Sequence, residues 1–179
     1  MMRIVLTIAL LFFVFFVRAT NYTITPDGSG HRVIDDAAHT YHGGDTLFLS
    51  GVFKAFVISN LLGANGNPIV ITNKPNEYLV LGDSTWAGGS WATAADFSTC
   101  KYVEVAGTTK VRFQIIGSQS NTIIGGAPAR TAYFDITFGS ICSDITVHNL
   151  LIRDGGAGLW AKTEVSASDA RTWYPYSRM

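Results

Sequence analysis

Apolar and polar residues alternate along most of this chain in short runs, and nearly every run closes at Gly or Asn. NPIVITN at 67–73, YLVLG at 78–82, YVEVAG at 102–107, VRFQIIG at 111–117, NTIIGG at 121–126 and YFDITFG at 133–139 follow one another in series. Each is short and rich in strand-forming residues. In CSDITVHNLLIRDGGAGLWAKTE, residues 142–164, Ile145, Val147 and Ile152 sit among polar neighbours; the run stops at Gly155-Gly156 and resumes at Leu159. Residues 21–30, NYTITPDGSG, predict a short strand followed by a turn on Pro26, Asp27 and Gly28, and the first strong strand spans Thr46–Leu49. One segment has a different period. Over 33–41, Ile34, Ala37, Ala38 and Tyr41 fall on one side of a short amphipathic helix that Gly43-Gly44 would end.

The runs also repeat. CKYVEVAG at 100–107 and CSDITVHN at 142–149 match at an offset of 42, with Val103 over Ile145, Val105 over Val147 and Gly107 over Asn149. A coil of parallel strands requires an apolar residue inward at the same place in each rung and a tight-turn residue at the same corner, so the pattern predicts a solenoid. Gly and Asn suit such corners because they accept left-handed backbone angles. The competing β-sandwich needs hairpin turns, and only Asp27-Gly28 and Asn65-Gly66 supply clear ones. The two cysteines, Cys100 and Cys142, share the offset. One rung apart they would lie about 4.8 Å from each other and could bridge; two rungs apart, at about 9.6 Å, they could not. The intervening runs at 121–126 and 133–139 favour two rungs, hence free, buried thiols.

Composition narrows the class. The chain of 179 residues opens with Arg3, an apolar run over 4–17 in which Thr7 is the one polar member, and Val17-Arg18-Ala19. That is the form of a secretory signal peptide cut after Ala19; the run is shorter than the roughly 20 residues a membrane-spanning helix needs. Removing 1–19 leaves 160 residues, with 11 Lys plus Arg against 13 Asp plus Glu. A near-neutral secreted, periplasmic or cell-surface protein without a basic run is expected to have no nucleic-acid partner and, after cleavage, no membrane partner. One all-β domain over 20–179 is the natural count.

The short helix, GGDTLFLSGVF at 43–53, NPIVITN, CKYVEVAG and SDITVHNLLIRDGGAGLWAKTE together resemble the secreted right-handed parallel β-helix proteins of the pectate-lyase-like superfamily. The resemblance spans nearly the whole mature chain. It implies a capping helix at the N-terminal end, with the cap over about 20–45 and rungs from about 46 to 179. Family members usually have more rungs and a C-terminal cap, so the chain is expected to be the N-terminal part of a longer protein. It implies action on extracellular polysaccharide by lyase or hydrolase chemistry; the alternative is a non-catalytic carbohydrate-binding or surface-structural β-helix.

Lyases on this fold need a cation against the uronate carboxylate and a base for the proton alpha to it; calcium held by carboxylates, or an Arg, supplies the first. Arg153 and Lys162 are the candidate catalytic residues, and Asp154 and Glu164 candidate substrate contacts, with His148 nearby in sequence. The plainer reading makes all four charged residues solvated side chains at rung corners. Strand alternation puts His148, Leu150 and Ile152 on one face and Val147 and Arg153 on the other. Trp86 and Trp91, in STWAGGSW, could stack on sugar rings or cover the coil wall beneath a loop, and Trp173, Tyr174 and Tyr176 invite the same two readings. His39 and His42 could share a helical face as zinc ligands do, but no third ligand is evident. Asp35-Asp36 belong to the polar face of the predicted helix. Asn21-Tyr22-Thr23 is a glycosylation sequon that matters only outside bacteria.

Overall fold

The computed structural model describes residues 19–85, 94–109, 111–117, 123–124, 127–128, 136–138, 141–153 and 159–161, with side chains described through 117 and over 141–153. The signal-peptide reading, residues 1–18, lies outside them. So do Trp86, Trp91, Asp154, Lys162, Glu164, Trp173, Tyr174 and Tyr176.

The described residues are all-β, in three parallel sheets and one two-stranded antiparallel sheet, with no helix. The first sheet is β1 (Asn21–Ile24), β3 (Thr46–Leu49), β6 (Ile69–Asn73), β9 (Lys101–Ala106) and β14 (Ser143–His148), paired in that order. The second is β4 (Gly51–Phe53), β7 (Leu79–Leu81), β10 (Phe113–Ile116) and β15 (Leu151–Arg153). The third is β2 (His31–Asp35), β5 (Ala55–Ser59), β8 (Ala95–Ser98), β13 (Ile136–Phe138) and β16 (Leu159–Ala161). From β3 onward the chain visits first, second and third sheet in turn, four times over. This order is compatible with a parallel β-helix.

Register stacks the inward positions. Tyr22, Leu47, Ile71, Val105 and Val147 form one column of the first sheet; Phe53, Leu81, Ile115 and Ile152 form one of the second. Ile34, Ile58 and Phe97 form one of the third. Phe53, Phe56 and Phe97 meet edge to face across the interior, with ring centroids 5.5 and 6.5 Å apart in turn. Removing such columns from water supplies the main stabilisation, about 1.5–3 kcal/mol for each large apolar side chain. Asn73 is a buried polar residue: its Oδ1 accepts from Thr108 N at 2.8 Å, and its Nδ2 faces Lys74 O, Glu77 O and Thr108 Oγ1. Those bonds meet the polar demand that burial creates at the corner between first and second sheets.

The predicted N-terminal helix does not form. Residues 31–35 instead pair with β5 along their whole length, His31 with Ala55 through Asp35 with Ser59, which buries Ile34 and satisfies the backbone in a ladder. Asp36, 2% exposed, then holds the next turn: its carboxylate accepts from Thr40 N at 2.7 Å and from Tyr41 N. Asp35 accepts from Asn60 Nδ2 at 2.7 Å. The acidic pair is thus structural, though not as a helix face. Tyr41 packs edge-on against Tyr22 at 4.8 Å, and both lie against the core.

The corner reading is refined too. Asn149 has a left-handed φ of 55°. Gly107, in register with it, has no left-handed φ, and its constraint is close approach: a Cβ there would strike Asn149 O. Gly82 combines both demands, with φ of 117° and Ile116 O where a Cβ would stand.

The offset of 42 is one circuit, not two. Along the first sheet, Asn21, Thr46, Val70, Glu104 and Thr146 are in register at successive separations of 25, 24, 34 and 42 residues. The growth lies largely at one corner, from second sheet to third. A single residue, Lys54, joins β4 to β5, whereas residues 82–94 join β7 to β8 and 117–135 join β10 to β13. In the last of these, β11 (Ile123–Ile124) and β12 (Ala127–Pro128) pair antiparallel with each other and with no strand of the three sheets. The run at 121–126, which suggested an extra rung, belongs to this insertion.

Candidate functional site

Arg153 ends β15, exposed, with Nη2 donating to Gln114 Oε1 at 3.4 Å. Gln114 lies on β10, between inward Phe113 and Ile115, and its Nε2 donates to Val111 O at 2.7 Å. The strand alternation that buries those neighbours turns Gln114 outward. Just before β10, Arg112 sits over the Tyr78 ring, 5.7 Å from guanidinium carbon to centroid. The two are neighbours because Leu79 pairs with Phe113. Tyr78 is 60% exposed, and Arg112 Nη1 is buried without a hydrogen-bond partner.

Tyr78, Arg112, Gln114 and Arg153 form one strip along the second sheet. Ile116 pairs with Arg153 and is four residues past Arg112, so the backbones of the two arginines stand about 13 Å apart along the strand direction. Both remain charged at any physiological pH. A surface of two fixed cations, an amide and an exposed aromatic ring can bind a carboxylate-bearing ligand by charge-assisted hydrogen bonds and stack on its apolar face. Arg153 is the member of this strip that the sequence pattern singled out. Tyr78, Arg112 and Gln114 were missed; the signal that finds them is the alignment of YLVLG with RFQIIG at an offset of 34.

Other expectations separate. His148 and Arg153 do not lie on opposite faces of one strand, because Asn149 turns the chain from first sheet to second. His148 and Arg153 are both outward, on different sheets, while Val147, Leu150 and Ile152 pack on the core. His148 Nε2 lies 2.9 Å from Glu104 Oε1 on the outer face of the first sheet. His39 and His42 share no helical face, since no helix forms; His42 Nδ1 is 3.9 Å from Asp45 Oδ2, and Asp45 accepts backbone bonds from Thr20 and His42. Among the described residues no group of three or more His, Cys, Asp or Glu could hold a metal ion.

No family model, curated protein or solved structure matches the chain.

Proposed function

We propose that this chain is an exported right-handed parallel β-helix of the pectate-lyase-like kind that engages an acidic extracellular polysaccharide along the outer face of its second sheet. The right hand is what parallel strands joined by crossovers adopt in nearly all cases. The observation that carries the ligand class is the strip itself: Arg112 and Arg153 flank Gln114 beside exposed Tyr78. Uronate carboxylates would pair with the guanidiniums and a sugar C–H face with the ring. Lyase chemistry would add Arg153 as the carboxylate-neutralising cation, alone or with calcium, and Lys162 as the base; a hydrolase or a purely binding coil would use the same surface to hold the chain.

Binding of the folded protein to polygalacturonate, alginate and a neutral glucan tests the ligand class by calorimetry. Acidic chains are expected to bind and the glucan not, with affinity falling tenfold or more in Arg112→Ala and Arg153→Ala and weakening as salt rises. Equal binding to all three, or none to either acidic chain, would remove the reading. Ultraviolet absorbance of unsaturated product, followed with and without calcium, separates lyase from binder: a rise lost in Lys162→Ala or Arg153→Ala assigns the lyase.

A further inference from the structure

Lys101 pairs with Ser143, and Ser143 N donates to Cys100 O at 3.0 Å. Cys100 and Cys142 therefore hold the same place in consecutive circuits, each just ahead of its strand in the first sheet. Adjacent strands bring equivalent Cα atoms to about 4.8 Å, inside the roughly 4.4–6.8 Å window of disulfides. Both are free thiols in contact through the backbone: Cys142 Sγ accepts from Cys100 N at 3.4 Å and donates to Phe97 O at 3.4 Å, while Cys100 Sγ donates to Ser98 O at 3.3 Å. Cys100 is fully buried and Cys142 half-buried.

We propose that Cys100 and Cys142 close an intrachain disulfide linking the third and fourth circuits, formed by exchange with a disulfide oxidant of the glutathione or thiol-oxidoreductase class. Cys142 thiolate attacks the oxidant RS–SR, one RS⁻ leaves, and Cys142 carries the mixed disulfide. Cys100 thiolate then attacks that Cys142 sulfur and the second RS⁻ leaves. The cysteines lose two protons and two electrons, and the oxidant becomes two RSH. In the folded chain burial pushes the Cys100 thiol up to about 12, which leaves little Cys100 thiolate to complete the exchange. Closure thus belongs to the moment when the fourth circuit docks, before Cys100 is sealed.

The test is to refold the full chain in a reduced and oxidised glutathione buffer, quench in acid, denature, and alkylate with and without prior reduction. The expected product is monomeric, lighter than the reduced chain by two hydrogens, alkylated at neither cysteine until reduced, and yields a peptide pair joining Cys100 to Cys142. Its thermal midpoint exceeds that of the same chain after reduction, and the Cys100→Ala/Cys142→Ala double variant melts with the reduced form. Two free thiols after refolding to a β-sheet circular-dichroism spectrum would overturn the bridge. So would bonds only between separate chains, or an oxidised form that melts no higher than the reduced one.

Discussion

Ile141 has a left-handed φ of 74° and is 77% exposed. It stands one circuit above Thr99, at 53°, which stands one circuit above Asn60, at 61°, as the Lys101 pairings with Leu62 and Ser143 require. This corner demands the same backbone angle each time, and only its first residue is of a type that accepts it readily. A β-branched residue there costs on the order of 1 kcal/mol or more. The Ile141 side chain recovers little of this by burial, so Ile141→Asn is expected to raise stability by about 1 kcal/mol, or a few degrees in thermal midpoint. A lowered midpoint would mean that Ile141 packs in a way its exposure denies.

One outward position on the third sheet is partly buried. Asp96 on β8 lies in register with Val57 on one side and Thr137 on the other. Burial raises its carboxyl above the ordinary value of 3.8. Because the folded value is the higher one, its contribution is full below about pH 3.8 and is lost as pH rises through the folded value. Asp96→Asn should therefore match the parent at pH 3 and exceed it at pH 7 in urea midpoint; equal midpoints across that range would contradict the raised carboxyl. Elements of this sheet were also the hardest to read in the sequence. β3, β6, β7, β9, β10, β14 and β15 coincide with apolar alternations closed by Gly or Asn. In β8 the inward pair is Ala95 and Phe97, a signal too weak to stand out. β2 carried helical spacing because Ile34, Ala37, Ala38 and Tyr41 serve a strand, a turn and an aromatic contact in succession; pairing with β5, invisible to a local window, decided it. Likewise Arg153 was legible as a charge beside a strand. Its neighbours Gln114 and Arg112 required the register across β10 and β15, which the insertion at 117–135 disguises.

The unequal corners set how the whole molecule tolerates change. Four extra Gly/Ser residues between Lys54 and Ala55 lengthen the connection that later circuits already lengthen, and going from one residue to five costs only about 1.4 kcal/mol in closure entropy. The same four residues between Asn73 and Lys74 would break the bonds of a fully buried amide and cost about 2–4 kcal/mol. Thermal melts of the two insertion variants should differ by several degrees, and equal losses would refute the distinction. Among the described residues the inward columns therefore keep one register while a single corner varies in length. Along that corner, successive circuits can carry peptides of any chosen length at a spacing of about 4.8 Å without disturbing the stack beneath, which makes the coil a graduated rack on which foreign epitopes or enzymes could be mounted in fixed order.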